Sequence, residues 1–342
     1  MERACQATPL PGRHSTTRRL ITPSCSIAMR LRPFRNDDPP RISRLWRRLP
    51  PSRLRAPTLS VPTLESLILS KPYFDRAGMI VAEGADELQA VVHAGFGTDR
   101  TGSTLSHEVG VVAALIEPQG DAGLRSELLD AAEAYLAQRG AQTVLAGGVS
   151  PHHPFYLGLY GGALLPGIAA SDESTCQTFA ASGYSETGRR RILRRSLAGF
   201  RPPVDRDLIR LRRLFRVVRS VGPARRDWWD ACTIGVLHRT RFELIPRDGG
   251  DAIAAIEVWD MEPLASGWGT HGVGVCLWHD ANQDPRLPTS CFLLGEAMRQ
   301  LLTEGSAFLE VHLEPGAPRE AVCRRLGFEP FDEGCVLTKT LG

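Results

Sequence analysis

LIEPQGDAGLRSELLDAAEAYLAQRGAQTVLAG occupies residues 115–147. It opens as the end of an apolar strand, breaks at Pro118, and turns through a short loop carrying Gly120 and Gly123. It then enters a helix in which Leu128, Leu129, Ala132 and Leu136 recur at helical spacing. Gly140 stops the helix, and TVLAGG at 143–148 returns as a strand. A strand, a glycine-bearing loop and a helix N-terminus in that order make an anion cradle. The first-turn amides lack helical partners, and the helix dipole presents its positive end.

Outward from this unit the pattern stays mixed. LRPF at 31–34 reads as an opening strand, and NDDPPRISRLW as a helix capped by Asp37 or Asp38 with prolines in its first turn. MIVAEG (79–84) and LQAVVHAGFG (88–97) form a hairpin, and the nearly all-apolar 107–117 is a central strand. After a Gly/Pro/aromatic loop, ESTCQTFAASGY is a short helix ending in Gly183–Tyr184, and 185–198 supplies closing strands. FRPPVD at 200–205 is a linker. Beyond it the order repeats: a hairpin around Asp248–Gly250, an apolar strand at 271–279, a helix over 290–305, a strand at 308–314, a helix ending in Gly327–Phe328, and a final strand. The repeat lies in element order, since the two halves share little identity. The fold class is α/β with an α+β mixed sheet, in two tandem copies. The domain expectations are a non-native or disordered extension at 1–28, a first copy at 29–198 and a second at 201–342. The extension is Arg-, Ser-, Thr- and Pro-rich, which suits a transit peptide or an upstream misassigned start before Met29.

Composition narrows the class. The 342 residues are 42% hydrophobic and 23% charged, ordinary for a globular protein. No run approaches the ~20 apolar residues of a membrane span. A net charge of +3 is too small to imply nucleic-acid binding overall. The 8 cysteines are scattered without CxxC spacing, which reads as reduced thiols in a cytoplasmic protein.

The element order, the strand–loop–helix core and the endings ASGY and RLGF resemble the GNAT superfamily of acyl-CoA N-acyltransferases, specifically its tandem bacterial members. FYLGLYGG and WWDACTIG…RFELIPRDGG are similar to an uncharacterised group of these. The resemblance implies two copies, each a mixed, mostly antiparallel sheet flanked by helices. It implies acetyl-CoA as co-substrate, with acyl transfer to a primary amine, either a small molecule or a peptide N-terminus. It also implies that the backbone of Ala114, Leu115 and Ile116 meets pantetheine, and that the loop through Asp121, Ala122, Gly123, Leu124 and Arg125 holds the pyrophosphate. The family loop reads Gln/Arg-x-x-Gly-x-Gly/Ala. Here Gly120 stands for the leading polar residue and Arg125 for the last Gly, and only Gly123 matches. The second copy reads Pro285, Arg286, Leu287, Pro288, Thr289, Ser290, where Pro288 removes an amide donor. The first copy is therefore the expected active one and the second structural.

Candidate chemistry follows. Some members place a Glu at the start of the central strand, where Glu108 stands beside His107, so these two are the candidate proton acceptors. The family's Tyr acid is replaced by Phe179 and Cys323. His153, Tyr156 and Tyr160, on the loop after the core unit, are candidate acceptor-binding residues; the same loop reads equally as packing between copies. No His/Cys/Asp/Glu set has metal-ligand spacing. Residues 189–225 are Arg-dense, which keeps an RNA-associated role as a weaker alternative. A catalytically degenerate ligand- or partner-binding protein is the other. The state is monomer or homodimer.

Overall fold

The computed structural model describes residues 29–265, 267, 269–281 and 288–342. The expectations for 1–28 and for Pro285, Arg286 and Leu287 lie outside the described residues.

The first half runs β1 (Arg30–Pro33), α1 (Pro39–Arg47), α2 (Val61–Leu64, continued by a π-helical turn at Glu65–Leu69), β2 (Met79–Glu83), β3 (Leu88–Thr98), β4 (Leu105–Ile116), α3 (Ala122–Gln138), β5 (Thr143–Ala146), β6 (Ile168–Ala169), α4 (Glu173–Ala181) and β7 (Ser185–Ser196). The second runs α5 (Arg206–Leu214), β8 (Phe215–Val221), α6 (Trp228–Thr233), β9 (Arg239–Pro246), β10 (Ala254–Asp260), α7 (Glu262–Ala265), β11 (Gly272–Asp280), α8 (Thr289–Thr303), β12 (Phe308–Leu313), α9 (Arg319–Arg325) and β13 (Glu329–Thr340). From β8 onward it repeats the order of the first half.

Both halves belong to one sheet, ordered β1-β2-β3-β4-β5-β13-β7-β12-β11-β10-β9-β8 among the described residues. Its centre holds a reciprocal exchange. β13, from the second half, pairs with β5 of the first over Leu337↔Ala146 to Thr340↔Thr143. β7, from the first half, pairs with β12 of the second over Phe308↔Ser196 to Leu313↔Arg191. The two exchanged strands then pair with each other from Glu329↔Arg194 to Thr338↔Ser185. The two halves thus share their closing strands.

Periodicity explains the layers. Leu128, Leu129, Ala132 and Leu136 are all fully buried and seat α3 on the first half's sheet. Leu293, Leu294, Ala297 and Met298 do the same for α8. A third cluster lies between the halves, where Phe155, Leu157 and Leu159 meet Ile234, Trp259, Met261 and Leu264.

Candidate functional site

β4 and β5 pair in parallel only from Val109↔Thr143 to Val112↔Ala146. Gly147 then donates its N–H to Val112 O at 2.8 Å and turns away with φ +69°. A Cβ there would stand 2.6 Å from Gly167 O, so the pivot requires glycine. Beyond Val112, β4 bulges at Ala113, because His93 pairs with Ala114 while Ala94 pairs with Val112. β4 continues to Ile116 with β3 on one side and, among the described residues, no strand on the other.

That parting opens into a cavity of about 490 Å³. Ala113 to Glu117 form one wall; Trp46 and Leu49, then Ser52, Arg53 and Arg55, cover it; Gly147, Ile168 and residues 171–175 close the far side. Tyr156 and Tyr160 also line it. The Tyr156 ring stacks parallel to Trp46 at 6.3 Å, and its hydroxyl lies 3.2 Å from His93 Nδ1. Burial raises both tyrosine phenols above their ordinary range, so they keep their protons. Burial likewise pushes His93 down to about 3, which leaves it neutral. The Tyr160 hydroxyl accepts Ala169 N–H at 2.7 Å.

At the α3 end the amides of residues 119–121 are already engaged. The Glu117 carboxylate, 1% exposed, accepts N–H bonds from Gln119 (2.7 Å), Gly120 (2.7 Å) and Asp121 (3.0 Å). Arg125 Nε adds a fourth bond at 3.0 Å. Arg125 also donates to Glu117 O at 3.1 Å and to Ser174 Oγ, joining the starts of α3 and α4. Asp121 caps α3 by accepting Leu124 N–H at 3.0 Å.

No family model matches the chain, and no curated protein matches it. Solved structures do. A tandem GNAT protein from the clavulanic acid biosynthesis pathway superposes with a TM-score of 0.63 at 13% identity, covering 92% of this chain and 99% of that one. A GCN5-related N-acetyltransferase from Sphaerobacter thermophilus gives 0.58 at 15% identity, covering 91% and 95%. The glucosamine N-acetyltransferase region of a fungal multi-domain GH3 β-N-acetylglucosaminidase gives 0.59 at 13% identity, covering 93% of this chain and 38% of that one. The chain has the tandem GNAT fold.

Within this GNAT fold the expected site residues divide. Ala114, Leu115, Ile116, Arg125, Tyr156 and Tyr160 come together around the cavity. His107 and Glu108 do not line it. They are exposed at the opposite end of β4, six and five residues from the bulge at Ala113, or roughly 17–20 Å at ~3.3 Å per residue. His107 stacks on Phe96 at 4.4 Å and bonds Arg139 O at 3.2 Å. Asp121, Ala122 and Gly123 are exposed outside the cavity, and the Leu124 side chain is buried in the core under α3. His153 packs edge-on against Trp229 at 5.9 Å, also away from the cavity. Trp46, Arg55 and Glu117 escape a sequence reading. Only Glu117, an acid at a strand end before a cradle loop, leaves a local signal.

The aromatic loop serves both halves. β11 and β12 part after Gly274↔Glu310, as β4 and β5 part after Val112↔Ala146. Into that second parting the loop inserts Ala163. Its N–H donates to Glu310 Oε1 at 2.6 Å, and its O accepts Trp259 Nε1 at 2.8 Å. At Gly162, φ +93°, a Cβ would fall 2.1 Å from Glu310 Oε1. Glu310 also bonds Arg194 Nε (2.6 Å) and His312 Nε2 (3.0 Å). Burial alone would raise its carboxyl, but these partners hold it below the ordinary value. Four of the five arginines of β7 are paired with carboxylates: Arg189 meets Glu186 and Glu333, Arg190 meets Glu314, Arg191 meets Glu320, and Arg194 meets Glu310, while Arg195 lies over the Phe200 ring.

Proposed function

We propose that the first half is an N-acyltransferase that moves an acyl group from the thioester arm of acetyl-CoA to a primary amine, and that the second half is structural. The observation that carries this reading is the parting of β4 from β5 beside the cavity, which leaves one backbone edge of residues 113–116 without a strand among the described residues. A linear amide chain of the pantetheine type adds to such an edge as a strand would. The thioester would supply the electrophilic carbonyl. The bulge leaves Ala113 without a partner in the β3 register, and its backbone N–H would serve a developing oxyanion. Tyr156, protonated and backed by neutral His93, would give its proton to the departing thiolate as the C–S bond breaks and would be reprotonated by the proton that the attacking amine loses on forming the C–N bond. Trp46, Leu49 and Ile168 add apolar surface to the cavity lining. The second half's equivalent parting holds Ala163, which favours a structural role for it. The acceptor would be a small amine or a peptide N-terminus, and the protein a monomer or homodimer.

A second reading, a GNAT-fold ligand binder without catalysis, is favoured by Glu117 filling the loop amides. Calorimetry separates the two. The full chain is titrated with acetyl-CoA and with S-acetylpantetheine, beside Ala114→Phe, and thiol release is followed with a panel of amines. The transferase reading expects binding that weakens at least tenfold in the variant, with amine-dependent thiol release. No binding of either thioester at millimolar concentration by folded protein would overturn it in favour of the binder.

A further inference from the structure

The loop before α3 is an anion nest whose anion is built in. Three successive amides, at Gln119, Gly120 and Asp121, point at one carboxylate, that of Glu117. A charged acceptor on several N–H donors is the same arrangement that captures a phosphate oxygen at a helix start. Arg125, the one cation reaching the nest among the described residues, is itself bound to Glu117 and tied to Ser174. Asp172 and Glu173 line the cavity beside Ser174, across from Arg53 and Arg55, so the rim carries both signs and offers no net positive charge beyond what those carboxylates offset. A diphosphate brought here would find the amides of Gln119, Gly120 and Asp121 taken by a carboxylate, with the first-turn amides of Ala122 and Gly123 at the exposed end of the loop.

We propose that Glu117 is the resident anion of this nest, and that it makes the first-half cavity a site for thioester or amide chains whose affinity owes nothing to a diphosphate. The part concerning thioesters rests on the transferase reading above; the part concerning the nest does not. On this view the cavity reads the pantetheine arm alone, and a nucleotide-free thioester binds as well as acetyl-CoA.

The test has two arms on the full chain. In the first, inorganic pyrophosphate is titrated into the wild type, Glu117→Ala and Glu117→Gln, with thermal melting as the readout. Pyrophosphate should leave the wild-type melting temperature unchanged at millimolar concentration and raise that of both variants by several degrees. Adding Arg125→Ala should remove the gain. Equal response of wild type and variants, or no response from folded variants, overturns the assignment of Glu117. Glu117→Gln keeps the side-chain shape should Glu117→Ala unfold. In the second arm, wild type should bind acetyl-CoA and S-acetylpantetheine within about threefold of each other, while Glu117→Ala should favour acetyl-CoA by at least tenfold. A wild-type preference for acetyl-CoA above tenfold overturns the specificity claim. Failure of both thioesters to bind, with the pyrophosphate arm as expected, refutes the transferase reading and leaves the nest assignment standing.

Discussion

Replacing Glu310 by Gln tests what keeps the second parting filled. The carboxylate is fully buried and lies 2.6 Å from Ala163 N, 2.6 Å from Arg194 Nε and 3.0 Å from His312 Nε2. Gln preserves the shape and an acceptor for Ala163, but it strips the charge from a site that keeps its guanidinium. Removing one partner of a buried ion pair costs about 3–5 kcal/mol. Arg194 retains the Phe308 and Phe331 rings at 4.6 and 3.5 Å, so the low end, about 3 kcal/mol, is expected. Trp259 reports on the same place, because its indole N–H bonds Ala163 O. Urea unfolding followed by tryptophan fluorescence should show a midpoint about 1 M lower, given slopes of about 1–3 kcal/mol/M or steeper for a chain this long. Arg194→Met added to the Glu310→Gln variant should recover part of the loss, with a coupling of about 2 kcal/mol, since deleting both charges is often near neutral. The pH dependence has a defined sign. A carboxyl held below its unfolded value of about 4.3 contributes stability that is complete above that value and is lost as pH falls through the folded one. The gap between wild type and variant should therefore be constant from about pH 6 to 8 and close in acid. A cost under about 1 kcal/mol at neutral pH, or strict additivity with Arg194→Met, would refute the idea that this cluster pins the loop.

Ending the chain before Cys335 should destabilise the first half as well as the second, because Cys335 and Leu337 belong to the first half's core; circular dichroism melting should show loss of the whole transition, and a surviving first-half transition would contradict the exchange. His93 is neutral and held at about 3, so the unfolded state binds an extra proton between about 3 and 6.5; stability is full above 6.5 and falls by up to ~1.4 kcal/mol per pH unit below it, a slope that His93→Gln should reduce. His153, lowered to about 4 chiefly by burial, acts in the same sense over a narrower window. Tyr156→Phe should slow thiol release about 10²-fold or more with little change in KM, and the wild-type rate should show no loss from this phenol up to about pH 9, because burial holds it above its ordinary value.

Much of the architecture is legible in the residues. The run from Leu115 to Gly147 carries its strand, loop, helix and stop in local chemistry, and the four apolar positions of α3 are all buried as their spacing predicts. The exchange of closing strands is not legible. CVLTKTL and RRRILRR follow equivalent short helices, and neither says which β5-type strand it will join, because pairing partners are chosen by tertiary packing. Ala114, Leu115 and Ile116 follow from the family resemblance rather than from local pattern, and they line the cavity; Ala113, which the bulge adds to the same wall, does not follow from it. Glu108 and His107 rested on analogy, and the cavity opens only past the bulge, beyond their reach. The aromatic loop held two readings at once. Tyr156 and Tyr160 face the first cavity, while Leu157, Leu159 and Ala163 pack toward the second half.

The exchanged strands bear on how such a chain is made and kept. Synthesis delivers β5 and β7 long before β13, so the nascent first half waits with an unfilled slot in its sheet until the second half has emerged. Its completion is set by translation of the other copy, with roughly 180 residues between β5 and β13 to be made first. A truncating mutation anywhere in the second copy would thus leave the first as an open-edged, aggregation-prone fragment. Duplicates locked in this way cannot be shed one at a time, so a copy can lose its own cleft and still be indispensable.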